Sequence, residues 1–417
     1  MKRFTYELKR MTWLMLLLVC VQGTTVAQNI GDTFTADKLK YCVLNKQEVE
    51  VCGHVDDRWD ATGEVIIPET VEAAEWNRNY TVTTIGNYAF YGRSGLTEIN
   101  IPNSVTTIES HAFNGCSRLT TINIPNSVTT IGEAAFAYCS GLRAINIPNS
   151  VTTIERQAFY DCSGLTALTV NADNAHFSSS EGVLLDKSQQ KLIQCPAGKK
   201  GEYKIPNSVT KIGEYAFGGC SGLTDINIPN SVTTIGEYAF GDCSGLTAIN
   251  IPNSVTTIGN RAFSFCGRLT SINIGNSVTS IGNEAFYYCR ELTSINIPNS
   301  VTTIGNEAFY NCSGLETLYF HSINPPTTTR DCFEGCYNIQ TIYVPQEAVA
   351  TYQATEPYNE YNIQGMDETT GIGEVETTEM PQSDNIYDLN GRLVRTDGNL
   401  QALPKGIYIL NGKKVVR

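Results

Sequence analysis

The chain has 417 residues, of which 41% are apolar, so it is long enough for two or three ordinary domains and apolar enough to fold. Its formal net charge is −13 and its isoelectric point is about 4.9. This acidity argues against nucleic acid or an anionic membrane surface as a partner, because both require clustered basic side chains.

The N-terminus has the composition of a secretory signal. The basic stretch "MKRFTYELKR" precedes the apolar run "MTWLMLLLVC", and small residues at Thr25 and Ala27 favour cleavage after Ala27. The apolar run is too short to span a bilayer comfortably, and we predict no transmembrane segment. Lipid attachment at Cys20 is an alternative, although Val19 stands where a small residue is expected. We therefore predict an exported protein with a signal peptide at residues 1–27.

An N-terminal cap is expected over residues 28–60. Cys42 and Cys52 flank "VLNKQEVEV", which predicts a hairpin. The pattern leaves open whether they form a disulfide, as is common in exported proteins, or remain free thiols. Next along the chain, "EAAEWNRNY" interrupts the first repeat unit. Trp76 and Tyr80 in this stretch either cap the end of the core or present aromatic rings at the surface.

Residues 61–345 repeat one phrase, of which "NIPNSVTTIGEYAFGDCSGLTAI" is a copy. The phenylalanine of each "AF" pair recurs every 23 residues, except for one step of 58 residues. A fixed period of this length, with Leu or Ile at fixed offsets, is typical of a leucine-rich repeat solenoid. These phenylalanines are Phe90, Phe113, Phe136, Phe159, Phe217, Phe240, Phe263, Phe286 and Phe309, followed by Phe333 one residue late.

Each unit predicts two short extended segments and a turn. "AINIP" alternates as a strand does, so its isoleucines should point into the coil and its asparagine outward. "NSVTTIG" predicts a second extended segment. "EYAFGDCSGL" predicts a brief helical or 3₁₀ turn, ending where the glycine of "SG" can adopt a positive φ. Stacked units can bury an apolar side that one unit cannot, so we predict a mostly-β, right-handed solenoid.

The phrase "IPNSVTTIGEYAFGDCSGLT" resembles the BspA-like (treponemal-type) leucine-rich repeat family of bacterial surface proteins. The resemblance covers about two-thirds of the chain, residues 61–345. It implies a secreted or cell-surface protein, and some family members act as adhesins for host matrix proteins. It carries over no catalytic motif and implies no cofactor.

One cysteine per unit follows the phenylalanine by three residues. In a stack of units these cysteines should form a column of buried thiols, which pack as small apolar side chains. A column does not converge on one point, as a metal site requires, so no metal is predicted. Cys332 replaces the usual alanine before phenylalanine and is also expected in the core. The column consists of Cys116, Cys139, Cys162, Cys220, Cys243, Cys266, Cys289, Cys312 and Cys336.

The long step between Phe159 and Phe217 contains 35 additional residues, an insertion at about 171–204. Within it, "GVLLDKSQQKLIQCP" predicts a hairpin, because two apolar runs flank a polar turn. Long insertions in solenoids often lie on one face and add a binding function. The sequence leaves open whether this one binds a partner or is a structural variant of the repeat.

The outward strand positions form a face that is small, polar and nearly neutral. Its asparagines either hydrogen-bond to one another along the stack or bind carbohydrate or extended peptide through their amides. At the C-terminal end the column changes to tyrosine, a residue enriched at binding hot spots but also common on exposed strands. The candidate ligand-binding residues are therefore Tyr319, Tyr343, Asn250, Asn273 and Asn296.

The sequence offers no arrangement typical of an enzyme. The four histidines are scattered over distant units, and none has a neighbour at metal-ligand spacing. The glycine-containing runs lack the GxxxxGK[ST] and GxGxxG spacings. We therefore predict a protein without catalytic activity, cofactor or metal. The histidines are His54, His111, His176 and His321.

After Pro345 the repeat stops. Residues 346–383 are acidic and polar, which predicts the end of a cap followed by a linker. Residues 384–417 predict a small β module, because two Asn-Gly pairs lie between alternating runs. These pairs are Asn390-Gly391 and Asn411-Gly412.

The C-terminal module resembles the sorting tail of the type IX secretion system through "YDLNGRLV", "LPKGIYIL" and "KKVV". The resemblance implies a tail that is removed and replaced by a surface anchor, on the outer-membrane exterior of a Gram-negative bacterium. The alternative is an accessory module that stays on the protein. We predict a surface binding protein for a host or matrix protein, with a carbohydrate-binding module or a structural surface component as alternatives.

Overall fold

The computed structural model describes residues 29–54 and 63–366, together with four strands between residues 386 and 416. Contacts divide the chain into two compact units, one ending at Gly365 and one beginning at Met366. The predicted signal peptide, the lipidation alternative at Cys20 and the linker beyond residue 366 lie outside the described residues. None of the helices in the described part of the chain is long and apolar enough to cross a membrane.

A cap of mostly antiparallel strands begins the first unit, in which the strands Glu48–His54 and Arg78–Ile85 pair in parallel. Cys42 and Cys52 form a disulfide between its second and third strands, with their Cα atoms 5.9 Å apart, so the open question of their pairing is answered. Trp76 and Tyr80 pack with Phe34, at ring-centroid distances of 5.4 and 5.8 Å from it, and thereby close this end of the core. The elements here are β1 (Thr33–Ala36), β2 (Leu39–Val43), β3 (Glu48–His54), β4 (Gly63–Ile66), β5 (Thr70–Ala73), a 3₁₀ helix (Ala74–Trp76) and β6 (Arg78–Ile85).

Beyond the cap, the chain winds through two columns of short parallel strands, so the predicted mostly-β solenoid is confirmed, with about 12 turns. The first column contains the "AINIP" strands, whose isoleucines are buried and whose asparagines are exposed. Its members after β4 are β7 (Leu96–Asn100), β10 (Ala144–Ile147), β12 (Ala167–Val170), β16 (Gly201–Lys204), β18 (Leu223–Asn227), β20 (Ala248–Asn250), β22 (Ser271–Asn273), β24 (Ser294–Ile297), β26 (Thr317–Phe320), β27 (Thr341–Pro345) and β28 (Ile363–Met366).

The second column contains two-residue "TI" strands that pair in register. Thr130 lies opposite both Thr107 and Thr153, so each residue of one coil stacks on the same residue of the next. This register is the physical meaning of the 23-residue period. After β6 the column consists of β8 (Thr107–Ile108), β9 (Thr130–Ile131), β11 (Thr153–Ile154), β17 (Lys211–Ile212), β19 (Thr234–Ile235), β21 (Thr257–Ile258), β23 (Ser280–Ile281) and β25 (Thr303–Ile304).

Hydroxyl side chains join neighbouring coils and explain the polar part of the repeat phrase. The serine of "NSV" donates a hydrogen bond to the valine carbonyl of the preceding coil, as Ser127 Oγ does to Val105 O at 2.6 Å. The same bond recurs at Ser150, Ser231, Ser254 and Ser300. Backbone carbonyls that would otherwise be buried without a partner are satisfied in this way.

The segment around each phenylalanine is a series of turns and not a helix, apart from one 3₁₀ helix at Arg330–Phe333. In the nine coils from Phe90 to Phe309, two residues adopt the left-handed conformation, two positions before and two positions after the phenylalanine, as Tyr238 and Asp242 do. In the Phe333 coil only Gly335 does. The glycine of "SG" has no positive φ, and Arg268 occupies its position in another coil. The expectation for that glycine was therefore wrong. The chain instead reverses its direction at the left-handed residues beside the phenylalanine.

The phenylalanines form a stack through the core. Phe263 lies between Phe240 and Phe286, with ring centroids 5.0 and 5.5 Å away and ring planes within 4° of parallel. All three side chains are fully buried. The described rings form no such stack between Phe159 and Phe217, where the insertion lies.

The insertion contains an additional coil. Its strand β15 pairs in parallel with β17 and places Leu192 opposite Ile212, as a "TI" strand does. The backbone N–H of Cys195 donates to Ala216 O at 2.7 Å, the bond that Phe217 makes to Ala239 O in the next coil. Cys195 therefore occupies the phenylalanine position. The strands of the insertion are β13 (Phe177–Ser180), β14 (Val183–Asp186) and β15 (Lys191–Gln194).

Strand β14 separates two halves of the hydrophobic core. It pairs antiparallel with β15, and its residues Val183, Leu184 and Leu185 are all fully buried. Leu184 packs in the core of the N-terminal coils, whereas Val183 and Leu185 pack in that of the C-terminal coils. Because β14 is buried on both faces, its side chains are apolar in succession and do not alternate with polar ones, which explains "GVLL" in this segment.

Aromatic side chains close the C-terminal end of the first unit. Tyr352 and Tyr358 are fully buried, and their hydroxyl groups bond to Ser322 and to Pro326 O, at 2.9 and 2.8 Å. The helices here are two 3₁₀ helices (Gln346–Ala348 and Tyr358–Glu360) and α1 (Val349–Gln353).

The second unit contains a four-stranded antiparallel sheet in the order β30-β29-β31-β32. The predicted Asn-Gly turns fall between β29 and β30 and between β31 and β32, and lie outside the described residues. The strands are β29 (Ile386–Asp388), β30 (Leu393–Arg395), β31 (Ile407–Leu410) and β32 (Lys413–Val416).

Candidate binding surfaces

The cysteine column lies in the core as a ladder of thiol hydrogen bonds. Cys266 Sγ donates to Phe240 O of the preceding coil at 3.1 Å, and all nine cysteines of the column are buried free thiols. Seven others make the same bond to the preceding phenylalanine at 2.9 to 3.2 Å, whereas Cys220 points at Cys195 O, 3.7 Å away. The thiol thus supplies a hydrogen-bond donor as well as apolar volume at each of these positions.

Burial keeps these thiols protonated. It raises the pKa of Cys116 and of Cys162 to about 12, so at neutral pH almost none of either is thiolate. The thiolate is the form that attacks electrophiles and binds metals. No group of three or more His, Cys, Asp or Glu residues that could hold a metal ion occurs in the described segments.

The ladder can be tested at Cys266. Cys266→Ala removes the donor and leaves the second lone pair of Phe240 O without a partner, at a cost of about 1–3 kcal/mol of unfolding free energy. Cys266→Ser keeps a donor of similar reach, so we expect a smaller loss than for alanine in urea unfolding. If the thiol contributed only apolar volume, Cys266→Ser would lose more unfolding free energy than Cys266→Ala, because serine is the more polar replacement.

The predicted asparagines lie exposed on the strand face, and two of them bond to each other. Asn273 Nδ2 donates to Asn250 Oδ1 at 2.6 Å. Asn296 Oδ1 lies 3.4 Å from His321 Nε2, and burial lowers the pKa of this histidine. The amides therefore have local partners, while their exposed sides face solvent.

Tyr319 and Tyr343 stand at the C-terminal end of the same face. Their rings are stacked, with centroids 5.2 Å apart and planes 11° from parallel, and both are half-buried. Each ring covers one face of the other, so the stack offers outer ring faces, edges and hydroxyl groups to a ligand. The structure thus brings the two tyrosines together on adjacent strands, β26 and β27.

A second surface, which sequence reasoning missed, runs over the turn segments around the phenylalanines. We call it the turn face. Several of the most exposed large side chains in the described residues lie on it, with Tyr88 56%, Tyr91 44%, Tyr138 48% and Phe265 41% exposed. The available signal was the aromatic pairs beside the core phenylalanine, such as "FSF" and "FYY".

The central tyrosine cluster of the turn face consists of Tyr138, Tyr160, Tyr215 and Tyr238. Tyr160 stands edge-on to Tyr138, with ring centroids 5.5 Å apart, and its hydroxyl donates to Asp242 Oδ2 at 2.6 Å. The Tyr238 hydroxyl donates to the same oxygen at 2.7 Å. This contact joins the coil before the insertion to the second "AF" coil after it.

The C-terminal aromatic cluster consists of Phe265, Tyr287, Tyr288 and Tyr310. Tyr287 and Tyr310 are stacked with centroids 5.1 Å apart, and Phe265 lies 5.4 Å from Tyr288. The Arg290 guanidinium carbon lies 4.9 Å from the Tyr288 ring centroid. The cluster thus presents aromatic rings, one of them already covered by a cation, along three neighbouring coils.

A small cleft opens where the insertion interrupts the second column. Its volume is about 120 Å³, and Arg156, Gln157, Lys191, Gln194 and Glu214 are among its lining residues. Small-molecule sites usually have about 300–1,000 Å³. The cleft is therefore too small for a typical cofactor or drug-sized ligand.

Comparison with protein families places the repeat. A family model described as "BspA type Leucine rich repeat region (6 copies)" matches residues 70–181, 199–316 and 257–367, more than half of the chain. The chain belongs to the BspA-type leucine-rich repeat family. A search of curated proteins found no match.

Several solved structures resemble this BspA-type protein. A leucine-rich repeat protein from Eubacterium ventriosum is 22% identical with a TM-score of 0.57, over 83% of this chain and 99% of that one. The pneumococcal vaccine antigen PcpA is 20% identical with a TM-score of 0.53, over 82% and 100%. A leucine-rich cell surface protein from Faecalibacterium prausnitzii is 23% identical with a TM-score of 0.48, over 76% and 96%. At these identities, the first two show a shared fold.

Proposed function

We propose that this protein is exported to the exterior of a Gram-negative outer membrane and binds a host or matrix protein through its solenoid. The N-terminal sequence resembles a secretory signal, and the repeat belongs to a family with surface members. The acidic composition and the large solenoid surface suit a protein partner better than nucleic acid.

One observation carries this proposal: exposed aromatic residues occupy backbone positions that disfavour them. Two residues after the core phenylalanine the backbone is left-handed, and the exposed Tyr138 and Phe265 both have φ of 60° there. A side chain in this conformation costs about 1–2 kcal/mol relative to glycine. Other coils have glycine at this position, as at Gly115 and Gly219. Rings that are exposed and strained do little for folding, and such strain is often stored at functional sites.

The proposed domain arrangement follows the sequence. We assign a signal to residues 1–27, a cap to 28–60, the binding solenoid to 61–345, a cap end and linker to 346–383, and a sorting-tail-like module to 384–417. Deleting residues 384–417 should leave the protein inside the cells if the module directs type IX export. Surface labelling of whole cells measures this, and unchanged labelling would favour an accessory module or lipid anchoring at Cys20.

Glycan binding on the strand face is a second candidate function. The stacked pair of Tyr319 and Tyr343, beside the exposed amide of Asn296, is the observation that favours it. Tyr319→Ala and Tyr343→Ala should then abolish glycan binding and leave protein binding unchanged. A structural surface component would bind neither class of ligand.

The test is binding of the purified chain, expressed from Gln28, to an array of extracellular-matrix proteins and glycans at physiological salt. For a protein ligand, we expect Phe265→Asn to weaken binding about tenfold or more, as at an interface hot spot. The same change should leave the unfolding free energy equal or higher by about 1 kcal/mol, because asparagine tolerates the left-handed conformation. A saturable protein ligand whose affinity is unchanged in Phe265→Asn would contradict a role for the turn face.

A further inference from the structure

The central tyrosine cluster contains two carboxylates without a basic partner. Asp161 and Asp242 each follow the core phenylalanine of their coil by two residues, and both are half-buried. Neither takes part in an ion pair within the described segments, whereas Arg156 pairs with Glu133 and Arg261 with Glu284. Asp161 and Asp242 thus bring half-buried negative charge to the turn face without an ion pair of their own.

The two carboxylates differ in their surroundings. Asp242 Oδ2 accepts hydrogen bonds from the hydroxyl groups of Tyr160 and Tyr238, at 2.6 and 2.7 Å. Burial, and then the nearby charge of Asp242, raises the pKa of Asp161. A cation placed beside Asp161 would relieve both effects, because it restores opposite charge where water has been partly removed.

Aromatic rings surround the carboxylates in an arrangement suited to an organic cation. Tyr138 is 48% exposed and occupies in its coil the same left-handed turn position that Asp161 occupies in the next coil. The two coils are joined here by the backbone bond from Tyr138 N–H to Tyr160 O, at 2.8 Å. A cation over a tyrosine face gains about 0.5–2 kcal/mol, depending on its exposure. Arg290 over Tyr288 shows the same pairing within this chain, at 4.9 Å.

Among biological cations, arginine fits this surface best. Its planar guanidinium can stack on a tyrosine ring and donate two parallel hydrogen bonds to one carboxylate, whereas the lysine ammonium is a more strongly hydrated point charge. Arg156 and Arg261, whose charges act on Tyr215 of the cluster, are each paired with a glutamate. The complementary guanidinium must therefore come from another molecule.

We propose that the central tyrosine cluster binds an arginine side chain on a protein partner, with the guanidinium stacked on Tyr138 and hydrogen-bonded to Asp161. This inference rests on the proposed function and specifies the chemistry of the partner. It predicts a partner with a basic, arginine-bearing segment. An acidic or arginine-free partner does not fit the surface.

The probe is a capped peptide of alternating glycine and arginine with three arginines, titrated into the chain expressed from Gln28 by isothermal calorimetry. We expect Asp161→Asn and Tyr138→Leu each to weaken binding about tenfold, and the matching lysine peptide to bind several-fold more weakly. Asp225→Asn is the matched control, because it removes one exposed carboxylate from strand β18 and should change affinity less than about twofold. Circular dichroism checks that each variant is folded.

Equal weakening by Asp161→Asn and Asp225→Asn would show attraction to net charge alone and would overturn the site. Absence of saturable binding of the arginine peptide would also overturn it. A matrix protein that binds with an affinity sensitive to Phe265→Asn but not to Asp161→Asn would keep the proposed function and reject arginine recognition.

Discussion

Phe263→Ala is expected to lower the free energy of unfolding by about 3–5 kcal/mol, as removal of a buried phenylalanine ring does. Phe263 is fully buried and stacks on Phe240 and Phe286, so its loss leaves a cavity in contact with two coils. In a stack of repeats each coil is stabilised by its neighbours. The cavity should therefore also destabilise the other coils in the C-terminal half of the core. Urea unfolding followed by circular dichroism measures the effect.

Phe265→Ala is the matched control two residues away. Phe265 is 41% exposed and contacts Tyr288 on the surface, so its removal should cost less than about 1 kcal/mol. Equal losses for the two alanine variants would contradict a phenylalanine stack as the centre of the core. A much larger loss at Phe265 would also remove the argument that its ring is kept for binding.

Alkaline unfolding should be steep, and the thiol column is its cause. Burial raises the pKa of Cys116, Cys162 and Cys332 from 9.0 in the unfolded chain to about 12 in the folded one. Their stabilising contribution is complete below pH 9 and is lost as the pH rises toward 12, because only the unfolded chain releases the proton in that window. Each such thiol contributes about 1.4 kcal/mol per pH unit, so several together should unfold the protein well before pH 12.

The measurement is the free energy of unfolding in urea at pH 7, 9 and 10. A variant carrying alanine at Cys116, Cys162 and Cys332 should be less stable at pH 7. Between pH 9 and 10 it should lose about 3 kcal/mol less stability than the parent chain, because the unfolded thiols release only part of their protons in this interval. Buried tyrosines act in the same direction, since burial also raises the pKa of Tyr352 to about 12. Equal slopes for the variant and the parent chain would assign the alkaline transition to groups other than these thiols.

The repeat itself could be predicted from the sequence because its contacts have a fixed separation. Phe240 touches Phe263, and Cys266 bonds to Phe240, so the partners recur 23 and 26 residues apart in coil after coil. Patterning of isoleucine, phenylalanine and cysteine therefore indicated the solenoid, the strand positions and the cysteine column.

Contacts across the insertion could not be predicted in this way. Cys195 takes the phenylalanine position of an additional coil without the "AF" pair that marks the others. Tyr160 reaches Asp242, which is 82 residues away and lies in no simple register with it. The periodic pattern cannot predict a contact between two residues whose separation in sequence is not close to a multiple of 23.

By itself, the sequence determined the coil and its core, because identical positions in successive units must stack and apolar side chains must be buried together. Only the tertiary structure decided where tyrosine and aspartate side chains come together on the turn face. Across the insertion, the Tyr160 ring contacts those of Tyr215 and Tyr238, and its hydroxyl group bonds to Asp242. The left-handed turns hold Tyr138 and Phe265 outward, since backbone reversal, and not hydrophobicity, sets the direction of these rings.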